Sequence, residues 1–203
     1  MKKSTLIGLS LLSVFSLNGC ANNINSKQKS EFTTSNKNNN VVMENKDKSR
    51  YQYYEIQDGI QDATLYTASS TSGAKISDFR TTIKGLWSYQ CIKSNTNGSV
   101  KTLFKMKFPQ AVATPNDKLT VKIRFKNSKT ESSKLYELHA KMYSDSYESA
   151  YIDEFDSDFV NDTMHYKGII FTVINSVGTS SGQYYVSNRG FKNIYNNVME
   201  HCR

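Results

Sequence analysis

The sequence predicts an α+β fold: an antiparallel sheet, drawn as a meander, with an N-terminal and a C-terminal helix packed on one face. Two periodicities predict it. Between residues 99 and 143 apolar and polar side chains alternate strictly in three segments, the pattern of half-buried antiparallel strands. On either side, apolar residues recur at three- and four-residue steps: Ile76, Phe79, Ile83 and Trp87 before that region, and Phe191, Ile194, Tyr195, Val198 and Cys202 after it.

Taken in order, the ordered part is expected to begin at Tyr51 and to run as a single domain over 51–203. Tyr51, Tyr53 and Tyr54 precede Asp58-Gly59, and Ile60, Ala63, Leu65 and Tyr66 follow, which reads as two short strands around a turn. Residues 68–75, rich in Ser, Thr, Gly and Ala, read as a loop. Ser77-Asp78 then opens the N-terminal helix, with Gly85 near its end. Tyr89 and Cys91 lie just beyond, in a strand.

The three alternating segments follow. Phe104, Met106 and Phe108 are interleaved with Lys105 and Lys107. Leu119, Val121, Ile123 and Phe125 are interleaved with Thr120, Lys122, Arg124 and Lys126. Tyr136, Leu138, Ala140 and Met142 are interleaved with Glu137, His139 and Lys141. Asn97-Gly98, Pro115-Asn116-Asp117 and residues 127–133 supply turns. Residues 144–163 are acidic and aromatic, with a short helix expected over 149–160. Residues 164–175 are β-rich, and Tyr184-Tyr185-Val186 pairs back after a turn at VGTSSGQ. The C-terminal helix closes the chain.

The segment before the domain is different in kind. Lys2 and Lys3 precede an apolar run from Leu6 to Leu17, then Leu17-Asn18-Gly19-Cys20. A basic start, a short apolar stretch and a small residue before a cut describe a secretory signal, and the stretch is too short to span a bilayer. With Cys20 directly after Leu-x-Gly, this part resembles the lipobox of bacterial lipoproteins. The resemblance covers residues 1–20 and implies removal of residues 1–19, acylation of Cys20 and attachment to a membrane through the N-terminal lipid. Two or more acyl chains give stable attachment, at about 0.8 kcal/mol per buried methylene. Ala21 after the cysteine implies sorting to the Gram-negative outer membrane, facing the periplasm or the cell surface. Residues 20–50 then read as a lipidated cysteine and a tether: Asn, Lys, Ser and Thr dominate, and the few apolar residues offer too little burial to offset the entropy of ordering.

The chain has 26 basic and 18 acidic residues; without Lys2 and Lys3 the balance is 24 to 18, net +6. Residues 99–142 hold ten basic and three acidic residues, whereas 143–203 hold four and eight, so the surface is polarised if the fold separates them. In an exported protein this asymmetry points away from nucleic acid and towards anionic lipid, a polyanionic envelope polymer or an acidic protein patch.

Beyond Cys20, two cysteines remain, Cys91 and Cys202. In an oxidising compartment they are expected to form one intramolecular disulfide, the alternative being two separate buried thiols. A bridge would close a loop of about 110 residues, adding on the order of 4–5 kcal/mol in the chain-entropy picture.

Catalytic signals are weak. Gly178-Thr179-Ser180-Ser181-Gly182 has the letters of a nucleophile elbow, but no aspartate follows and strand-like residues come next, so it reads as a hairpin turn. Asp153, Glu154, Asp156, Asp158 and Asp162 lack the glycine and terminal glutamate of a calcium loop, and His139, His165 and His201 are scattered. The expectation is therefore no enzyme, no metal and no cofactor. The remaining signal is a basic strand face. Lys105, Lys107, Lys122, Arg124 and Lys126 would project together if their two strands pair, either as solubilising charge or as a partner-binding face. The sequence points to a non-enzymatic, lipid-anchored envelope protein that binds or supports a secretion, pilus or conjugation assembly. The alternative is an inhibitor or immunity lipoprotein that neutralises a cell-wall hydrolase or toxin.

Overall fold

The computed structural model describes residues 49–60, 62–128 and 130–203. The expected signal peptide, Cys20 and nearly all of the tether lie outside these residues. Eleven strands form one sheet: β1 (Tyr51–Asp58), β2 (Ala63–Ser70), β3 (Gly73–Lys75), β4 (Asp78–Ile83), β5 (Trp87–Ser94), β6 (Val100–Lys107), β7 (Lys118–Lys126), β8 (Tyr136–Met142), β9 (Ser149–Ile152), β10 (Gly168–Ile174) and β11 (Ser180–Ser187). Two helices complete the fold, α1 (Ser157–His165) and α2 (Phe191–Cys202). The spatial order is β1-β2-β5-β6-β9-β8-β7-β10-β11-β3-β4, and every pairing is antiparallel.

That order forces the sheet to curl. β2 is second in the order and β3 tenth, a flat separation of about 38 Å at ~4.8 Å per strand. Only Thr71 and Ser72 join them, and three Cα steps reach about 11 Å. The sheet bends into a half-barrel whose ends meet at this corner. There Thr71 N–H donates to the Arg50 carbonyl (2.8 Å), Arg50 N–H to the Arg189 carbonyl (2.9 Å) and Gly85 N–H to the Ser70 carbonyl (2.8 Å). Gly73 is needed for the close approach: a Cβ there would lie 2.5 Å from Leu86 Cδ2.

Curling gives the strands an enclosed inner face, and both helices pack on it. Alternate residues point inward: Trp87, Tyr89 and Cys91 from β5, Phe104 and Met106 from β6, Val121, Ile123 and Phe125 from β7, Phe171 and Val173 from β10, all buried. α1 begins where the Asp156 carboxylate accepts the Phe159 N–H (2.7 Å), a side-chain N-cap. It sends Phe159 into the centre, with ring centroids 5.2–5.3 Å from Phe104, Phe125 and Tyr136. α2 contributes Phe191, Val198 and Cys202. Tyr51 Oη donates to Asn188 Oδ1 (3.0 Å), and Asn188 Nδ2 donates to the Thr163 carbonyl (3.0 Å), so one buried amide joins β1, α1 and the end of β11.

The antiparallel sheet and the C-terminal helix agree with the sequence reading, as do the hairpins β1–β2 and β10–β11. The loop expected over 68–75 is instead the end of β2, a two-residue link and β3, and three further expectations need correction. The N-terminal helix at 76–87 is instead β4, a turn and the start of β5. Asp78 turns the chain by accepting from Arg80 N–H (3.2 Å) and Thr81 Oγ1 (2.7 Å), β-branched Thr81, Thr82 and Ile83 favour extended backbone, and Gly85 at φ +70° breaks the run. Phe79, expected on a buried stripe, is 64% exposed. The simple meander is also broken, because β9 lies between β6 and β8 and separates β6 from β7. Finally, 149–160 is split between β9 and α1 rather than forming one helix. The second helix therefore comes from the middle of the chain.

Cys91 and Cys202 lie at disulfide-bonding distance with Cα atoms 6.4 Å apart, within the reach of a bridge. A bond there fastens the end of α2 to β5. Cys202→Ser is expected to lower stability by about 2–5 kcal/mol in urea unfolding and to release α2 first, seen as early proteolysis near residue 188. Mass spectrometry of the oxidised, alkylated protein should find the two cysteines in one linked peptide pair; two alkylated thiols would remove the tie.

Candidate functional site

The strand pairings decide which expected site residues meet. In β7, Lys122, Arg124 and Lys126 alternate with buried Val121, Ile123 and Phe125, so they stand on the convex face. Lys105 and Lys107 stand on the same face of β6. The two groups are not adjacent. With β9 and β8 between them, they are about 14 Å apart across three strand spacings. The five cations share a surface but form two clusters.

More positive charge lies between and beside them. Lys105 pairs across to Tyr151, Tyr151 to Lys141, and Lys141 to Lys118, which places three lysines and a tyrosine in one row over β6, β9, β8 and β7. Lys105 Nζ lies 5.1 Å from the Tyr143 ring centre, and Lys101 Nζ lies 5.5 Å from that of Tyr151, each within cation–π range. Burial and Tyr151 push the Tyr143 phenol up to about 12, so it stays neutral and its ring remains a bed for a cation. Acid on this face is sparse. Glu137 meets Lys122 at 3.4 Å, and Asp153 lies between Lys101 (3.3 Å) and Lys141 (3.5 Å).

At the β6 end the face holds a groove of about 160 Å³. Its floor is four small or polar residues from adjacent strands: Thr67 and Ser69 of β2, and Ser88 and Gln90 of β5. Thr67 pairs with Gln90, and Ser69 with Ser88. Ser88 and Gln90 are 4% and 8% exposed although they face outward, because longer side chains overhang them. Tyr54 and Ile56 of β1 form one wall, Lys105 and Lys107 the other. The Ser69 and Ser88 hydroxyls are 2.9 Å apart, and Gln90 Nε2 donates to Thr67 Oγ1 at 3.4 Å. Burial, then repulsion from Lys107, holds the Lys105 ammonium below its ordinary range, partly opposed by Asp145. The sequence reading missed the floor because it took 68–75 as loop and ended a helix at Trp87. The available signal was the alternation of Ser88 and Gln90 with Trp87, Tyr89 and Cys91.

A larger hollow, about 340 Å³, lies by α1 and includes Lys134, Tyr136, Asp158 and Asp162. Four of its polar side chains pair with one another: Tyr136 Oη donates to Asp162 Oδ2 (2.6 Å), and Lys134 stands over the Tyr136 ring (4.8 Å) while pairing with Asp158 (3.6 Å). The acidic run thus divides between ion pairs, the α1 cap and this hollow. Among the described residues no group of three or more His, Cys, Asp or Glu is placed to hold a metal ion. Gly178–Gly182 forms the β10–β11 turn and the start of β11, as expected of a hairpin. No described helix is long and apolar enough to cross a membrane. No family model, curated protein or solved structure matches the chain.

Asp153 ties one lysine of the row, Lys141, to Lys101. Burial opposes its ionisation, but the Lys101 hydrogen bond and the two ammoniums outweigh it, and its carboxyl lies below the usual range. A depressed carboxylate stabilises the fold above its unfolded value of about 3.9, and that stability fades as pH falls through the lower folded value. Because both lysines are about half exposed, Asp153→Asn is expected to cost only about 1 kcal/mol at neutral pH. Urea unfolding of the two proteins should converge once the pH is below the folded value.

Proposed function

We propose that the chain is a lipid-anchored, non-enzymatic protein of the Gram-negative envelope that holds an anionic partner on its convex face. The observation that carries this reading is the excess of cations on one continuous surface. β6 and β7 present Lys105, Lys107, Lys122, Arg124 and Lys126 outward, and β8 adds Lys141, while Glu137 is the only outward carboxylate on those strands. Solubilising charge needs both signs interspersed. A face with this excess of cations and with aromatic rings among the lysines suits a polyanion or an acidic protein better. The inward residues of the same strands are core, so the face is free to vary without cost to the fold. The anchor rests on Leu17-Asn18-Gly19-Cys20, and Ala21 after the cysteine favours the outer membrane, facing the periplasm or the cell surface, as the place where a secretion, pilus or conjugation assembly would be supported.

The anchor is tested by metabolic labelling with a clickable fatty acid. Label should enter the wild-type chain and be lost in Cys20→Ala; equal label in both would dismiss the lipid. The face is tested by charge. Arg124 is exposed and Lys122 is tied to Glu137, so Lys122→Gln with Arg124→Glu reverses charge without setting two acids against each other. That variant should keep its unfolding midpoint and lose retention on immobilised anionic envelope polymer or on envelope proteins captured by crosslinking. Wild-type retention should fall as salt rises. Salt-independent retention, equal in both proteins, would leave the cations as solubilising charge. Capture of a cell-wall hydrolase or toxin instead of an assembly would favour the inhibitor role.

A further inference from the structure

The groove at the β1–β2–β5–β6 end is more specific than the face around it. Its lining combines two lysines, four hydroxyl-bearing residues (Tyr54, Thr67, Ser69 and Ser88) and one amide with no carboxylate. The Ser69 and Ser88 hydroxyls sit 2.9 Å apart. One O–H is used between them, and the second remains able to donate into the groove. Lys105 and Lys107 stand two residues apart on one side of β6 and repel each other, and the partial burial of Lys105 makes that repulsion count. Ser88 is 4% exposed, so its hydroxyl is fixed in place rather than free to swing.

We propose that this groove binds a phosphate monoester, its oxygens held by the Lys105 and Lys107 ammoniums and the Ser69–Ser88 hydroxyl pair. The inference deepens the reading of the convex face as an anion-binding surface and rests on it. Charge favours phosphate over carboxylate. A phosphate monoester carries about −1.5 to −2 at neutral pH with three strong acceptor oxygens, enough for both ammoniums, whereas a carboxylate leaves one uncompensated. Volume sets the size: about 160 Å³ takes one phosphate and a few carbons. Tyr54 and Ile56, 46% and 51% exposed, give the organic part of the ester an apolar wall. The phosphate can be a soluble ester or the headgroup of a lipid, and the two sources can be separated.

The mature chain carrying Cys20→Ser, which has no acyl group of its own, is titrated with inorganic phosphate and with glycerol 3-phosphate at fixed ionic strength while backbone amide signals are followed. In parallel it is sedimented with phosphatidylcholine vesicles, with and without phosphatidic acid. Saturable shifts at Ser69, Ser88 and Lys105 are expected, with Lys105→Gln or Lys107→Gln weakening binding about tenfold or more and Lys192→Gln, at an exposed position on α2, leaving it unchanged. Soluble-phosphate shifts without vesicle retention assign a soluble ester. Retention that needs phosphatidic acid and is lost in Lys105→Gln assigns the headgroup. A groove silent in both arms, or shifts indifferent to Lys105→Gln and Lys107→Gln, overturns the proposal. If retention on the anionic polymer persists while the groove is silent, only this inference fails; if both are lost, the reading of the face falls with it.

Discussion

The two-residue link between β2 and β3 is the constraint on which the rest of the structure depends. It joins the second strand of the sheet to the tenth across a gap that a flat sheet could not bridge. Once the sheet curls, its inner face is too enclosed to be left to solvent and too wide to be filled by the strands' own side chains. α1 and α2 fill it, and Phe159 and Phe191 bring helix aromatics to the rings of β5, β6 and β7. The close contact of Gly73 with Leu86 belongs to the same corner.

Curvature also separates the chemistry of the two faces. On the concave side the side chains converge, and aromatic packing with edge-to-face geometry stabilises the interior. On the convex side they diverge, which lessens repulsion between neighbouring lysines and lets a cation-rich surface exist at small cost. Where short residues replace long ones, at Ser69 and Ser88, divergence leaves a recess between higher walls. The groove follows from small side chains on two adjacent strands near one end of a bent sheet.

Much of this was legible in local patterns. Alternation in 100–107, 118–126 and 136–142 identified β6, β7 and β8 with their inward and outward residues, because period two is imposed by the pleat itself. The stripe ending in Cys202 located α2, and export chemistry made Cys91 its natural mate. What failed was what depends on distance along the chain. The spacing of Ile76, Phe79, Ile83 and Trp87 imitates a helix, yet Ile83 and Trp87 are buried from two different strands and Phe79 is largely in water. Four-residue β9 is too short to carry a pattern, so its place between β6 and β8 was invisible and the two lysine clusters seemed contiguous. The groove draws on four strands, and its residues come together only through pairings that no single stretch encodes.

Trp87, the chain's one tryptophan, has a consequence of its own. It is completely buried, and its ring lies 5.3 Å from Phe104 on the neighbouring strand and 5.3 Å from Phe171 on β10, five places away in the sheet. The first neighbour is present whenever β5 and β6 pair; the second arrives only when the sheet has closed. The indole is thus a built-in optical reporter of sheet curling rather than of strand formation, with emission that distinguishes an open, hydrogen-bonded sheet from the finished fold.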